Sequence, residues 1–462
     1  MKYISTRGRI KPVTFTRAVM MGLADDGGLI VPDSIPDLSS SLEWASDKSY
    51  TELAKHVLGH FVDDLKESDL DHIIESSYED HFPVDIVPLV PIGDIHVMEL
   101  WHGPTLAFKD LALQFLGNLF ECILERDGGE LNILGATSGD TGSAAIAGVR
   151  GREGMRIFVM HPHGRVSEIQ ERQMTTVIDR NVFNVAVDGS FDDCQRILKE
   201  LSCDLEFKSR HSIGAVNSVN WARVIAQVVY YWHAFLRMRK LNGCDAIQVS
   251  VPTGNFGDIL AGWYARQMGV PISRLILATN ENDILTRFFQ SGEYRRGDVH
   301  RTLSPSMDIQ VASNFERYLF ELVGRDAPRL SALMQGFEIS GSLQVDPVLV
   351  HADRGIVAGR ADRSRVLSTI QRYYAETNYV LDPHTAVGVA VAEELTNGKD
   401  PMVCLATAHP AKFPDAIKLA TDGAVTPTHP ILEALLRGRS RCARIPARID
   451  AVRNYLECVL SN

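Results

Sequence analysis

Lys109 stands in the stretch His102-Gly-Pro-Thr-Leu-Ala-Phe-Lys-Asp110, and the chemistry of this chain can be organised around it. Gly103-Pro104 breaks the chain, and a helical pattern then begins near Phe108 and runs through Leu111, Phe115 and Leu119. A lysine at the start of a largely apolar helix is held against a packed element. Burial there disfavours the ammonium and lowers its pKa. The neutral amine is the form that condenses with an aldehyde. A lysine at such a place is otherwise a solvated one, so its role depends on the company it keeps further along.

Four more stretches carry donors. Thr253-Gly-Asn-Phe-Gly-Asp258 follows an apolar run and opens a helical pattern. Gly254 and Gly257 let the backbone come close to a ligand. Together with Asn255 and Phe256 they form either a phosphate seat at a helix N-terminus or a plain strand-to-helix turn. The spacing is neither G-x-x-x-x-G-K-S/T nor G-x-G-x-x-G, so neither a triphosphate nor a dinucleotide is favoured. Ser138-Gly139-Asp140-Thr141-Gly142 occupies the same position after another apolar run. Its hydroxyls and amides either hold a carboxylate or cap a helix. Asn217, Ser218 and Arg223 gather amide, hydroxyl and guanidinium donors near a helix start. They bind an oxyanion, or Arg223 belongs to a structural ion pair. Thr407 offers a small hydroxyl at a strand end, and His409 and Lys412 follow in the next loop.

A lysine able to form a Schiff base, a phosphate seat, a carboxylate loop and a hydroxyl at a strand end are the parts that hold pyridoxal phosphate and an amino acid. No metal-ligand cluster, Ser-His-Asp spacing or pair of carboxylates competes with that set.

The elements that must position these residues are legible from periodicity. Before residue 94 the pattern is mainly helical: Phe15 to Met21, Tyr50 to Phe61 and Asp69 to Tyr78. Pro83 to Pro91 reads as an extended linker. From Asp94 onward short apolar runs alternate with helical ones. Strands are expected at Ile95 to Leu100, Leu131 to Leu134, Ile157 to Met160, Val182 to Val187, Ile247 to Val251 and Leu275 to Ala278. That alternation predicts an α/β fold with a largely parallel sheet. Ligands of such sheets bind at the carboxyl ends of strands, where the donor stretches lie. Ser304 to Asn314 and Arg354 to Ser364 read as polar loops.

The whole chain sets outer bounds. Its 462 residues suggest two or three domains. A hydrophobic share of 45% and a charged share of 23% are ordinary for a globular protein. A formal net charge of −11 argues against nucleic acid as the main partner. No apolar run reaches the ~20 residues that span a bilayer, so no membrane partner is expected. Seven cysteines without a C-x-x-C point to neither a disulfide framework nor a zinc site. With no signal-like apolar run at the start, a cytoplasmic protein is expected.

HGPTLAFKD, GATSGDTGSAA, VNSVNWAR, VPTGNFGDILAG and LATAHPAKF, together with VTFTRAVMMGLADDGGLIVP near the start, resemble the threonine synthase family in its bacterial and fungal long form. That family belongs to the tryptophan synthase β-like group of pyridoxal phosphate enzymes. The resemblance runs in order to about residue 420, and the tail from Gly423 carries no motif.

The resemblance implies two open, mostly parallel α/β lobes and a mainly helical N-terminal domain. The N-terminal domain would be 1–93. The large cofactor lobe would be 94–125 with 211–462, and the small lobe 126–210. It implies conversion of O-phospho-L-homoserine and water into L-threonine and phosphate, by γ-elimination and β-hydration, in a monomer or homodimer. A phospho-lyase or a serine/threonine dehydratase on the same scaffold is the alternative. Carried over by position, Lys109 would be the Schiff-base lysine. Gly254, Asn255, Phe256 and Gly257 would hold the cofactor phosphate, and Thr407 would bond the pyridine nitrogen. Ser138, Gly139, Asp140 and Thr141 would receive the substrate carboxylate, with Asp140 itself expected to cap the helix. Asn217, Ser218, Arg223 and Lys412 would face the substrate phosphate.

Overall fold

Ile247–Pro252 and Met402–Ala406 are buried along their whole length. Runs of that kind belong in the middle of a parallel sheet covered on both faces. The computed structural model, which describes residues 1–137, 139–214, 216–352 and 355–461, places them there. The large sheet runs in the order Ile356–Arg360, Ile272–Thr279, Ile247–Pro252, Met402–Ala406, Ile95–Glu99, Leu89–Ile92. Every neighbouring pair is parallel except the last. The proline-spaced stretch read as a linker therefore ends in an edge strand, where the missing N–H of Pro91 is tolerated. The N-terminal segment gives way to the large lobe before residue 89.

The second sheet is parallel throughout, in the order Ala443–Pro446, Val182–Asp188, Met155–Pro162, Leu131–Ala136, Ile213–Gly214. This corrects the boundary that assigned all of 211–462 to the large lobe. The tail strand Ala443–Pro446 covers the edge of the small sheet, and the helix Ile449–Leu460 buries Val452 and Leu456 against Leu134, Phe158, Val185 and Ile197. An edge strand is a template for unwanted pairing, and the tail replaces the seven-residue edge Val182–Asp188 with a four-residue one that ends in proline. A four-residue strand is too short to show its partner in the sequence.

The helix Trp221–Asn242 runs through the middle of the molecule, buried on nearly every side. The Asn220 side chain accepts from Ala222 N at its start, and left-handed Gly243 ends it. Arg317 ties the N-terminal segment to this core. It is fully buried and donates to Ile30 O at 2.9 Å and to Val219 O at 2.6 Å.

The helices Lys109–Asp127, Asp140–Val149 and Gly257–Gln267 all start beyond the carboxyl ends of parallel strands. So does the turn after Met402–Ala406. Among the described residues no helix is long and apolar enough to cross a membrane.

Candidate active site

Lys109 is the first residue of its helix, and the loop before it is locked to the strand end that carries Thr407. Phe108 N donates to Thr407 O at 2.9 Å, and His409 N donates to Leu106 O at 3.1 Å. The loop folds on Asp110, whose carboxylate accepts Thr105 N at 2.8 Å and Thr105 Oγ1 at 2.6 Å. A Cβ at position 103 would lie 2.6 Å from Asp110 Oδ2, which is why glycine stands there. Burial pushes the Asp110 carboxyl up to about 6. Burial also lowers the proton affinity of the Lys109 amine, with Lys412 and Arg223 assisting and Asp140 opposing.

Asp140 does not cap its helix. Thr137 does so: its Oγ1 accepts from Gly139 N at 3.0 Å and Gly142 N at 2.9 Å. The Asp140 carboxylate instead meets Lys412 Nζ at 2.8 Å, Gln170 Nε2 at 3.0 Å and Ser306 Oγ at 3.1 Å, with Lys109 Nζ 3.7 Å away. Burial pushes its pKa up, but the two lysines outweigh burial and hold it far below the carboxylate range. Lys412 is a second correction. Its amine is sealed from solvent and spends its bonds on Asp140 and on Thr105 O at 2.9 Å, so it is the counter-charge of Asp140 and does not line the cavity. Thr141 lines the cavity. Gly139 lies behind it, at φ +152°, where a Cβ would strike the Gln170 side chain. Ser138 lies outside the described residues.

Opposite Lys109 is the turn at 254–257. None of the N–H groups of Gly254, Asn255, Phe256 and Gly257 has an acceptor among the described residues. Phe256 sits in the left-handed region at φ 65°. Its ring points away into an aromatic cluster with Phe289, Phe315 and Tyr318, so only its backbone serves the cavity. The Asn255 Oδ1 accepts from Ser313 Oγ at 3.1 Å, and its carbonyl accepts from Asn314 N at 3.0 Å, so Asn255 also braces the turn. Gly254 packs against the turn Pro305–Met307: a Cβ there would lie 2.9 Å from Ser306 O.

Arg223 faces the same cavity and is 3% exposed. Its Nη1 donates to Val216 O at 3.1 Å, and its Nε has no partner. No carboxylate pairs with it among the described residues, and burial alone pulls its pKa down to about 10. The structural ion pair is thus not what the chain builds. Ser218 lines the cavity with its hydroxyl 2.8 Å from Ser313 Oγ. Asn217 does not: it is exposed, and its carbonyl accepts from Asn220 N at 3.0 Å. This is a third correction, because the turn that exposes Asn217 is the one that caps the central helix.

The empty space at the site, counted out into the solvent at its mouth, is about 730 Å³. Sequence reasoning missed several residues on its wall. Ser306 and Met307 come from a stretch read as a polar loop. His384 follows an Asp-Pro helix start that was a usable signal, since Asp382 accepts from His384 N and Thr385 N. Asp258 accepts both Tyr230 OH, at 2.5 Å, and Tyr231 OH, at 2.8 Å, on Oδ1, and its Oδ2 has no partner. Burial pushes it up to about 6.

One buried amine, four unengaged amides at a helix start and the Thr407 hydroxyl all face one cavity. That donor set fits an aldehyde carrying a phosphate ester. The unpaired Arg223 adds a seat for a second anion.

Family models match three parts of the chain: threonine synthase N terminus over residues 2–78, pyridoxal-phosphate dependent enzyme over 87–333, and threonine synthase C-terminal over 385–456. The threonine synthase of Schizosaccharomyces pombe is 45% identical, over 90% of this chain and 89% of its own length. That of Pseudomonas aeruginosa is 44% identical, over 99% and 98%. The crystal structure of pyridoxal phosphate-bound threonine synthase from Brucella melitensis superposes with a TM-score of 0.96 at 43% identity, covering all of both chains. The yeast threonine synthase structure superposes at 0.94 with 40% identity, over 100% of this chain and 99% of that one.

Proposed function

This chain belongs to the threonine synthase family of pyridoxal phosphate-dependent enzymes, and we propose that its cavity converts O-phospho-L-homoserine and water into L-threonine and phosphate. The observation that carries the reading is one cavity in which a buried, weakly basic amine, Lys109, is joined by two separate groups of anion donors, the first without acceptors among the described residues and the second holding the unpartnered Arg223 Nε. One group is the set of amides at 254–257 and the other is Arg223 with Ser218. A substrate that brings its own phosphate to a phosphate-bearing cofactor needs two such seats.

Pyridoxal phosphate, when bound, withdraws electrons from the carbon chain of an attached amino acid and so makes its hydrogens acidic. Lys109 would hold the cofactor's aldehyde, the amides at 254–257 its phosphate, and Thr407 its ring nitrogen. A neutral threonine hydroxyl donates or accepts a hydrogen bond there without adding charge. Lys109, once its amine is free, takes the proton from Cα of the substrate and serves as the base and acid for the steps at Cβ and Cγ. Its lowered proton affinity keeps it neutral enough to do so. Arg223 draws on the charge that builds on phosphate as it leaves Cγ. Thr141 and the backbone around it take the substrate carboxylate, and Asp140, already neutralised by Lys412, does not repel it. Water is then added at Cβ.

All seven cysteines are free thiols, which supports a reducing compartment such as the cytoplasm. A monomer or a homodimer is the assembly proposed for the enzyme. Incubation of the cofactor-loaded enzyme with O-phospho-L-homoserine tests the reading: threonine and phosphate should appear in equal amounts. Phosphate released with a keto acid and no threonine would make the enzyme a phospho-lyase.

A further inference from the structure

A line of hydrogen bonds runs from the large lobe to the small one along the cavity wall. Asp382 Oδ1 accepts His384 N at 2.9 Å and lies 2.9 Å from His384 Nδ1. The carboxylate holds the ring proton on Nδ1 and leaves Nε2 as an acceptor. His384 Nε2 accepts Ser306 N at 3.2 Å. Ser306 Oγ in turn donates to Asp140 Oδ2 at 3.1 Å, and that oxygen is the one 3.7 Å from Lys109 Nζ. On its other side the same turn touches the phosphate seat, where Ser306 O would lie 2.9 Å from a Cβ at Gly254. One short turn, Pro305–Met307, therefore touches the seat with its carbonyl and the small lobe with its hydroxyl.

Granted the reaction proposed above, we propose that Ser306 is a latch joining the occupied phosphate seat to the small lobe, and that His384 is the positioning residue that sets it. The latch holds Asp140, and with it the loop carrying Thr141, over Lys109. Opening of the small lobe breaks the Ser306–Asp140 bond, while His384 keeps the turn ready for the next closure. Lys412, also on the large lobe, parts from Asp140 in the same opening: it supplies the charged contact of the closed state, and the half-buried Ser306 supplies the neutral one beside it. A weaker latch lowers the closed fraction of the enzyme. Apparent substrate affinity falls by that fraction, whereas turnover at saturation is largely kept.

The test compares Ser306→Ala, Ser306→Thr, His384→Leu and His384→Gln in the cofactor-loaded enzyme. Ser306→Ala keeps the backbone N–H that bonds His384, so it removes the hydroxyl alone. His384→Gln keeps an acceptor near Nε2, and His384→Leu does not. KM and kcat for O-phospho-L-homoserine are measured, together with amide hydrogen exchange over residues 139–143. Ser306→Ala and His384→Leu should raise KM about tenfold, the scale of one hydrogen bond to a charged group. Their kcat should change by less than about threefold, and exchange at 139–143 should quicken. Ser306→Thr and His384→Gln should restore both. A wild-type KM with unchanged exchange in Ser306→Ala overturns the latch. Equal damage from His384→Gln and His384→Leu overturns the role of His384. The exchange data need no turnover, so they judge the latch separately from the identity of the reaction.

Discussion

Asp140 Oδ1 lies 2.8 Å from Lys412 Nζ, and both side chains are closed to solvent. The partner oxygen, Oδ2, is 3.7 Å from Lys109 Nζ. A lone buried carboxylate at that distance would keep Lys109 charged and useless as a base. Burial, and after it Lys412, oppose that pull, so the site holds an acid beside its amine while the proton affinity of the amine stays lowered.

Lys109→Ala should abolish turnover and leave the fold in place, because Asp140 keeps its bonds to Lys412, Gln170 and Ser306. Borohydride reduction of the loaded wild-type enzyme, followed by peptide mapping, should attach the cofactor to Lys109. A label on a different lysine removes the assignment.

Lys412→Met should leave the Asp140 carboxylate buried without its main partner. Stability should drop by about 3–5 kcal/mol, read from urea unfolding. The remaining pull of Asp140 falls on Lys109 and raises its proton affinity. The neutral amine then appears only at higher pH, so the acid limb of the kcat profile should move upward. A limb that stays in place would show that Lys412 has no bearing on Lys109.

Arg223→Ala should reduce kcat/KM for O-phospho-L-homoserine by about 100-fold or more, the scale of a lost buried charge contact. Affinity for pyridoxal phosphate, from spectroscopic titration, should change by less than about threefold. Equal losses in the two would move Arg223 to the cofactor seat.

Gly254→Ala puts a methyl 2.9 Å from Ser306 O and 3.2 Å from Met307 Cα. Backbone cannot yield as a flexible side chain does, and overpacking of this kind costs about 1–3 kcal/mol. Cofactor affinity should weaken about tenfold. Unaltered affinity would mean that the turn is free to shift.

Asp258→Asn tests the buried carboxyl beside Tyr230 and Tyr231. Its folded pKa of about 6 lies above the ordinary value of 3.8. The folded chain therefore holds this proton more tightly than the unfolded chain does. The resulting stability is present below about 4 and lost as pH rises through 6. The amide keeps an acceptor for both tyrosines and carries no charge at any pH. Unfolding at pH 8 should show the variant more stable by about 1–3 kcal/mol, with the advantage gone near pH 4. A variant less stable at pH 8 would show that the charged form is the one the fold favours.

Much of the fold was legible because strands buried on both faces must be apolar throughout, as in Ile247–Pro252, and helices that start beside a ligand need special turns, as at Gly254 and Gly257. Those demands act over a few residues and leave a local imprint. Ser306 and His384 left almost none. Ser306 meets Asp140 from 166 positions away, and a serine in a polar loop shows nothing of such a partner. Arg223 read equally well as an ion-pair member or an anion ligand, because that choice depends on whether any carboxylate is packed within reach.

By itself, then, the sequence determined the chemical parts and their local backbone: an amine opening an apolar helix, a glycine turn with free amides, a guanidinium at the head of the central helix. Tertiary structure alone decided the partners. It turned Asp140 from a helix cap into the counter-ion of Lys412, sent Asn217 to solvent, and laid the tail strand Ala443–Pro446 on the small sheet. The reason is physical: backbone preference is set by near neighbours, whereas burial and charge pairing are set by whatever the packed lobes bring within a few ångströms.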